Sequence, residues 1–97
     1  MTEKQKMLMG ILYNAEDQAL IEERNHAKSL TRQFNEHWED KGHRNYLIGQ
    51  IFGSLGQNVH LEAPIYLDYG YRTTIGSDFF SNFNLTILDG GGVEIGD

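Results

Sequence analysis

At 97 residues and 11.1 kDa the chain has room for one domain, and its lack of cysteine excludes both a disulfide framework and a thiolate metal site. The formal net charge of −6 is shared by both halves, so the clustered basic residues that hold a nucleic-acid backbone are lacking and no nucleic-acid partner is expected. Residues 1–10 carry charges and no long apolar run, which argues against a signal peptide or a membrane span and predicts a cytoplasmic protein without a membrane partner.

A short helix is predicted at the start of the chain. Thr2 and Gln5 have capping-box spacing, in which each side chain satisfies the backbone N–H group of the other residue. Glu3 lies in the first turn, where the helix dipole favours a negative charge. We therefore expect a helix that runs to Met9 and stops at Gly10, because glycine commonly follows the last helical turn.

A second, longer helix is predicted to open at Asn14, with Asp17 three residues further on. Apolar side chains then recur at steps of three, four and seven residues, while charged residues form a solvated face. We expect this helix to fray near residues 35–38 and the polar stretch 36–43 to form a loop. The recurring apolar positions are Leu20, Ala27, Leu30 and Phe34.

A third helix is predicted from the spacing of apolar residues between Tyr46 and Leu55, and it is expected to end at Gly53 or Gly56. From Asn58 onward apolar residues alternate with polar ones, and β-branched and aromatic side chains become common, which predicts strands. The chain has a single proline and no stiff linker between the two parts, so we expect helices and strands to pack as one unit.

Six-residue blocks organise the sequence from Tyr69 to Asp97. A period of six fits neither an α-helix nor a flat strand, but it fits a parallel β-helix that turns a corner after every block. Asp89–Gly92 is the expected bulge or loop. Because each coil needs neighbours above and below, we interpret Asp97 as a cut through a longer solenoid. The blocks are headed by Tyr69, Ile75, Ser81, Ile87 and Val93, and Thr73, Phe79, Leu85 and Gly91 occupy their fifth places.

Residues 67–97 and the opening residues 1–20 together resemble the maltose/galactoside O-acetyltransferase family. The motifs that carry the resemblance are the pair Tyr69-Gly70, the run 82–84 (Asn-Phe-Asn) and the pair Leu88-Asp89, all behind a helical leader. The resemblance implies an α+β fold in which three N-terminal helices pack on the first coils of a left-handed parallel β-helix. Residues 1–57 would form the helical maltose-acetyltransferase-type domain and residues 58–97 the incomplete start of the hexapeptide-repeat β-helix.

The family transfers an acetyl group from acetyl-CoA to a sugar hydroxyl, so the resemblance implies a maltose, glucose or galactoside acceptor for the intact enzyme and no metal ion. It also implies a homotrimer with each active site in a cleft between neighbouring β-helices. The family's catalytic histidine lies in a Thr-His-Pro-like segment downstream of residue 97. The 97-residue chain alone is therefore expected to be nearly inactive and to lack most of the acetyl-CoA site. None of His26, His37, His43 and His60 falls in a matching context.

Three residues match positions that the family uses at its site. Asn82 matches the asparagine that stabilises the transition state, since an amide donates a hydrogen bond to a developing oxyanion; the alternative is a side chain that bonds the backbone of a corner. Asp68 occupies an acceptor-contact position, or else it is a solvated turn carboxylate. Arg24 resembles the arginine that reaches the acceptor, with a surface ion pair on its helix as the alternative.

Two departures from the galactoside-type pattern leave the acceptor open. Ala15 stands where some members carry an acceptor-binding aspartate, and Gly90 stands where a second aspartate follows Asp89. Asp17 and Asp89 are candidate substitutes as acceptor-binding residues. The alternatives are that Asp17 is an N-terminal helix charge and that Asp89 forms a turn.

Two other functions stay open at this stage. The uncovered last coil is compatible with a non-enzymatic oligomerisation module, because unpaired strand edges associate readily. A lone sugar-binding fragment would keep Asp68 and Asn82 and bind sugar without turnover. In either case Phe80 and Phe83 are aromatic residues that wall a sugar site or, more commonly, fill an interior or a subunit interface.

Overall fold

A computed structural model of the protein describes residues 1–96, with three helices followed by seven short strands. Asp97, and with it the interpretation of that residue as a cut, lies outside the described residues. Within residues 1–96, none of the helices has both the length and the apolar character needed to cross a membrane. The helices are α1 (Glu3–Leu8), α2 (Gln18–Glu36) and α3 (Lys41–Ile51), and the strands are β1 (Ser54–Leu55), β2 (His60–Leu61), β3 (Ile65–Leu67), β4 (Thr73–Ile75), β5 (Phe80–Ser81), β6 (Leu85–Ile87) and β7 (Val93–Ile95).

Helix α1 has the predicted capping box. The Gln5 backbone N–H donates to Thr2 Oγ1 at 3.0 Å, and the Thr2 backbone N–H donates to Gln5 Oε1 at 2.8 Å. Gly10 follows the helix with φ of 75°, the left-handed conformation that glycine adopts without a Cβ penalty. The sequence prediction for this helix is confirmed.

Helix α2 begins three residues later than the sequence predicted. Asp17, not Asn14, is its N-cap, because Asp17 Oδ2 accepts from the backbone N–H of Ala19 at 3.1 Å. Asn14 Oδ1 instead accepts from the backbone N–H of Glu16 at 3.0 Å and closes a separate turn. The predicted opening at Asn14 was therefore wrong, whereas the predicted end near residue 36 is confirmed.

Helix α3 starts inside the stretch that was predicted to be a loop. Asp40 Oδ1 accepts from the backbone N–H of His43 at 3.1 Å and caps the helix, so only residues 37–40 separate α2 from α3. The polarity of this stretch masked a helix start, since polar side chains suit an exposed first turn as well as a loop.

The strands form three parallel sheets that the chain visits in turn. The sheets are β1-β4-β7, β2-β5 and β3-β6, so each strand pairs with the strand three places later. The register is twenty residues in every pairing, as in Leu55 with Ile75. The first strand begins at Ser54, ahead of the predicted start at Asn58, because the backbone N–H groups of Gly53 and Gly56 already donate to strand β4.

One corner of each coil is wider than the other two. Equivalent strand positions are six residues apart at two corners and eight apart at the third, both in the first coil and in the second. We call the third the wide corner; it comprises residues 68–72 and 88–92. Its extra residues confirm the loop expected at Asp89–Gly92 and correct the first and last blocks. Leu67 rather than Tyr69 precedes Ile75 in the series, and Ile95 rather than Val93 continues it, since Val93 pairs with Thr73. The series runs Leu55, Leu61, Leu67, Ile75 in one coil and Ile75, Ser81, Ile87, Ile95 in the next.

Helices and coils share one apolar core. Phe34 of α2 is fully buried, and the cluster around it takes side chains from α3 and from all three sheets. This confirms the expectation that the two parts pack as one unit. The buried members are Phe34, Leu47, Ile48, Ile51, Phe52, Leu61, Ile65, Leu67, Ile75 and Ile87.

Candidate functional site

The wide corner brings helix α2 against the coil through a pair of side chains. Arg24 Nη1 donates to the Tyr69 hydroxyl at 2.8 Å, and Arg24 Nη2 donates to the backbone carbonyl of Ala15 at 2.8 Å. The guanidinium carbon also lies 5.8 Å from the centre of the Tyr69 ring. One arginine therefore joins α2, the loop before it and the wide corner.

A buried carboxylate lies behind Tyr69. Asp89 is 0 % exposed; its Oδ1 accepts from the Tyr69 backbone N–H at 2.8 Å and its Oδ2 accepts from Thr73 Oγ1 at 2.9 Å. Both oxygens thus hold the preceding coil in place. The structure gives Asp89, an expected acceptor-binding residue, no surface on which an acceptor could rest, and it agrees with the alternative of a turn-forming role.

The protonation states of Arg24 and Tyr69 follow from their surroundings. The hydrogen bond to Tyr69 raises the pKa of Arg24, and the negative charges of Glu16 and Asp68 act in the same direction. Burial raises the pKa of Tyr69. At neutral pH the pair is therefore a cationic guanidinium that donates to a neutral phenol.

Asp68 lies at the end of β3, half-buried, with its backbone N–H bonded to the carbonyl of Ile87 at 3.2 Å. Its carboxylate lines an open groove of about 490 Å³ between α2 and the β3-β6 sheet. Lys28 and Arg32 of α2 and Tyr66 of β3 also line this groove. Since the charge of Asp68 acts on Arg24, the structure brings these two predicted residues into one region.

Asn82 is exposed at the corner between β5 and β6. Within residues 1–96 its side-chain amide makes no hydrogen bond, so the alternative of a corner-bonding side chain is not what the structure shows. Phe80 and Phe83 flank it, 60 % and 67 % exposed. The three residues of β6, roughly 10 Å of extended backbone, lie between the corner of Asn82 and the wide corner, so Asn82 and Asp68 lie on different corners of the coil.

Asp17 has a local role in this structure. Its carboxylate caps α2, as the alternative of an N-terminal helix charge anticipated, and it lies two residues from the Ala15 carbonyl that Arg24 binds. The loop that carries Asp17 is therefore tied to the wide corner through Arg24. Described residues 1–96 contain no group of three or more side chains suited to hold a metal ion.

Tyr69, Thr73 and the Ala15 carbonyl were not predicted as parts of the site. Tyr69 stood out in the sequence as the head of a six-residue block and as half of an aromatic-glycine pair, and neither feature indicates a partner 45 residues away on α2. The hydroxyl of Thr73 faces inward at a block position where an apolar residue is expected, and this was the one available signal of a buried polar group.

A second groove is lined by residues of α1, α2 and α3 together with Tyr69 and Tyr71 of the wide corner. Lys4 pairs with Glu23 at 2.6 Å, and the Tyr71 hydroxyl donates to Glu23 at 3.1 Å, which joins α1, α2 and the coil. The volume of this second groove is about 580 Å³. Tyr71 and Tyr69 thus hold α2 through separate partners.

Comparison with known proteins identifies the relatives of this fold. A family model described as the maltose acetyltransferase hexapeptide capping motif matches residues 6–56. The galactoside O-acetyltransferase of Escherichia coli (strain K12) is 37% identical over 94 residues, covering 96% of this chain and 46% of that protein. The chain spans about half the length of the curated relatives it matches.

Solved structures agree with the sequence relatives. The crystal structure of a maltose O-acetyltransferase from Clostridium difficile 630 matches with a TM-score of 0.95 and 45% identity, covering 100% of this chain and 52% of that one. A galactoside acetyltransferase in complex with coenzyme A matches with a TM-score of 0.91 and 37% identity, covering 100% of this chain and 49% of that one.

Proposed function

Because this chain belongs to the maltose/galactoside O-acetyltransferase family, whose N-terminal part it matches, we propose that the whole protein transfers an acetyl group from acetyl-CoA to a sugar hydroxyl. The observation that carries the proposal is the position of Asp68, whose half-buried carboxylate lines the groove between α2 and the β3-β6 sheet and whose charge acts on Arg24. A carboxylate that lines the groove and a guanidinium in the same region with N–H groups to spare supply the acceptors and donors that bind the hydroxyls of a sugar.

The fold we propose for the complete protein is a left-handed parallel β-helix capped by helices. In this proposal the helical maltose-acetyltransferase-type part ends before β1, a few residues ahead of the boundary predicted at residue 57, because Ser54 and Leu55 already pair with the hexapeptide-repeat strand β4. Three parallel sheets with a constant twenty-residue register support the coil. Further coils would continue the same stacking.

Direct acyl transfer assigns each candidate residue a task. Asp68 accepts hydrogen bonds from two acceptor hydroxyls, and Arg24 donates to a neighbouring hydroxyl, which together fix the sugar. Asn82 donates from its unengaged amide to the oxyanion that develops during transfer. Asp17 lies beside the acceptor, because Arg24 binds the backbone carbonyl of Ala15 in the loop that carries Asp17. A histidine beyond residue 97 removes the proton from the acceptor hydroxyl.

Asp89 supports the site from within rather than touching the sugar. Its carboxylate is fully buried and both oxygens are engaged by Tyr69 and Thr73. The acceptor-binding role that the sequence suggested for Asp89 is therefore replaced, in this proposal, by a role in holding the wide corner.

Acetyl-CoA is the co-substrate that supplies the acetyl group. From this chain the exposed amide of Asn82 fits the role of a donor toward the reacting carbonyl, while most of the acetyl-CoA site belongs to coils beyond residue 97. Direct transfer calls for neither a metal ion nor a covalent intermediate, because a base and oriented hydrogen-bond donors suffice.

We place the complete site between copies of the protein, in a homotrimer. Asn82 lies about one strand length away from Arg24 and Asp68, so an acceptor held at the wide corner of one copy does not reach Asn82 of the same copy. Exposed Phe80 and Phe83 beside Asn82 are the kind of apolar surface that a neighbouring copy covers.

The test compares the 97-residue chain with the complete gene product in assays with acetyl-CoA and either maltose or a galactoside. We expect turnover from the complete protein only, because loss of a general base costs roughly 10²–10⁴ in rate. Asp68→Asn should raise the acceptor KM while leaving the acetyl-CoA KM unchanged; Glu39→Gln, on the exposed α2–α3 loop, is the matched control.

Three results would contradict this proposal in different ways. Equal turnover from the short chain would refute the assignment of the base to a downstream histidine. Saturable sugar binding by the complete protein without acetyl transfer would favour a sugar-binding fold. A complete protein that neither binds nor acetylates any of these sugars would refute the acceptor class.

A further inference from the structure

We propose that Tyr69 is a positioning residue, which holds the guanidinium of Arg24 in the orientation that a sugar acceptor requires and is itself fixed by Asp89. The role of Arg24 in this inference rests on the proposed function. What the inference adds to the proposed function is a series of hydrogen bonds that runs from the buried carboxylate of Asp89 through Tyr69 to the guanidinium of Arg24.

The chain of contacts is continuous. Asp89 Oδ1 accepts from the Tyr69 backbone N–H at 2.8 Å, the Tyr69 hydroxyl accepts from Arg24 Nη1 at 2.8 Å, and Arg24 Nη2 reaches the Ala15 carbonyl at 2.8 Å. Thr73 donates to the other oxygen of Asp89 at 2.9 Å, which prevents the carboxylate from turning away. Each link is a well-formed hydrogen bond between different elements of the fold.

Tyr69 is a rigid anchor. Its side chain is 5 % exposed and packs in a small apolar cluster with Met7 and Leu20. Gly70 directly behind it has φ of 80° and lies against the backbone of Ile51, so the main chain has little room to shift. The hydroxyl is therefore the fixed end of the bond to Arg24.

Arg24 needs such an anchor. An arginine side chain has many rotamers, and ordering it only when the acceptor arrives would weaken binding. Each terminal nitrogen of Arg24 donates one hydrogen bond within the protein, Nη1 to Tyr69 and Nη2 to Ala15. The other N–H groups of the guanidinium are available to a ligand. Because the anchors belong to the coil and to the loop before α2, the guanidinium is oriented before the acceptor binds.

A purely structural role for Tyr69, as a tether between α2 and the coil, is the competing explanation. Tyr71 provides the comparison, because its hydroxyl also bonds α2, through Glu23, without touching Arg24. If tethering is all that matters, removal of either hydroxyl should have similar effects on the site. If Tyr69 acts through Arg24, only its own hydroxyl matters to the acceptor.

The first experiment observes Arg24 directly by NMR in the complete protein. In the unsubstituted protein and in Tyr71→Phe, the guanidinium Nη signals should be resolved, because hydrogen bonds slow rotation of the group. In Tyr69→Phe, which keeps the buried ring, these signals should merge. Unchanged Nη signals in Tyr69→Phe would overturn the inference. Circular dichroism and urea unfolding confirm that the variants are folded.

The second experiment is a double-mutant cycle with Tyr69→Phe and Arg24→Ala, read by the Kd for maltose and by the KM and kcat for acetyl transfer. Alone, Tyr69→Phe should weaken maltose binding roughly 3- to 30-fold, the range for losing one hydrogen bond that orients a charged group, with kcat little changed. In the Arg24→Ala background it should have no further effect. Tyr71→Phe should leave the Kd unchanged in both backgrounds.

The outcomes separate this inference from the proposed function. Additive effects of the two substitutions would overturn the positioning role, while the acetyltransferase proposal would stand. Sugar binding without acetyl transfer, with a non-additive cycle, would refute the proposed reaction and leave the positioning role in place. Failure of the unsubstituted protein to bind maltose or a galactoside would overturn the acceptor role of Arg24 together with the proposed function.

Discussion

A fully buried carboxylate is costly unless hydrogen bonds replace its lost hydration. Asp89 meets this condition with two donors, the Tyr69 backbone N–H and the Thr73 hydroxyl, and through them it holds the wide corner. The predicted contact of Asp89 with an acceptor stays a prediction, and the contacts that the structure shows for its carboxylate are internal.

Replacement of Asp89 by alanine should lower the free energy of unfolding by about 2–4 kcal/mol, because it leaves the Tyr69 N–H buried without an acceptor. Thr73→Val, which removes one hydroxyl at nearly constant volume, should cost about 1 kcal/mol. Urea unfolding measures both. Glu39→Ala on the exposed loop serves as control, and equal effects of Asp89→Ala and Glu39→Ala would contradict the assignment.

The contacts of the Glu3 side chain depend on pH. Its carboxylate pairs with Lys6 at 2.7 Å and accepts from the Asn14 backbone N–H at 2.6 Å, and these bonds hold its pKa below the ordinary value of 4.5, the one to Lys6 most strongly. Because the folded pKa is the lower one, the contact stabilises the fold above the unfolded pKa and is lost as the pH falls through the folded pKa.

The Asn14 amide signal should therefore titrate with a midpoint below 4.5. An NMR pH titration of the protein checks this, and in Glu3→Gln the transition should vanish because no carboxylate remains. A midpoint at or above 4.5 in the unsubstituted protein would show that the contact does not favour the ionised form.

Contacts between near neighbours in sequence were predictable, and those between distant ones were not. The reciprocal bonds of Thr2 and Gln5 follow from their spacing alone. The bond from Arg24 to Tyr69 spans 45 residues and exists only because the coil returns beneath α2. Local hydrogen bonds are encoded by local pattern, whereas the site is assembled by the fold.

At the scale of elements, α3 and the first coil meet where a glycine replaces a side chain. A Cβ at Gly70 would lie 2.5 Å from the carbonyl oxygen of Ile51, the last residue of α3, and the residue also needs a positive φ. At the exposed Gly49, within α3, a Cβ would meet no other atom within 4 Å. The two positions therefore differ in the space around them and in their backbone conformation.

Gly70→Ala should destabilise the protein by about 2–4 kcal/mol through the clash and the backbone strain. Gly49→Ala should instead raise stability by about 0.5–1 kcal/mol, because alanine is the better helix former. Thermal unfolding of the two variants measures the contrast. A neutral Gly70→Ala would mean that α3 moves freely against the corner.

The elements themselves were largely predictable, with errors at their boundaries. The six-residue period indicated the coil because inward-facing residues recur once per side. This period placed Val93 at the head of a block, which was wrong, because a strict period of six does not account for the two extra residues of the wide corner. Similarly, Asn14 and Asp17 are both good N-caps, and the choice between them depends on the turn that Asn14 closes with Glu16.

At the scale of the whole molecule, the helices and coils form one cooperative unit because they share one core. Phe34 of α2 is 0 % exposed and belongs to the same cluster as Ile65 of β3 and Ile75 of β4. Neither part has a separate core of comparable size among the described residues.

Phe34→Ala should therefore lower the free energy of unfolding by about 3–5 kcal/mol for helices and strands alike. Native-state hydrogen exchange reports the two parts separately, and the slowest amides of α2 and β4 should lose the same amount. Leu12→Ala, at a side chain that is 95 % exposed, should have little effect. Loss of protection confined to the helices would show that the parts unfold independently.

The unequal sides of the coil have a consequence for divergence among relatives. An insertion at a six-residue side would turn every later inward residue outward, so such lengths are constrained. The eight-residue side already holds two extra residues, and Leu88, Gly91 and Gly92 on it are exposed, whereas Tyr69 and Asp89 are buried and hold the coil. Changes of length are therefore accommodated more readily at the exposed positions of this corner, with Tyr69 and Asp89 kept, than at a six-residue side.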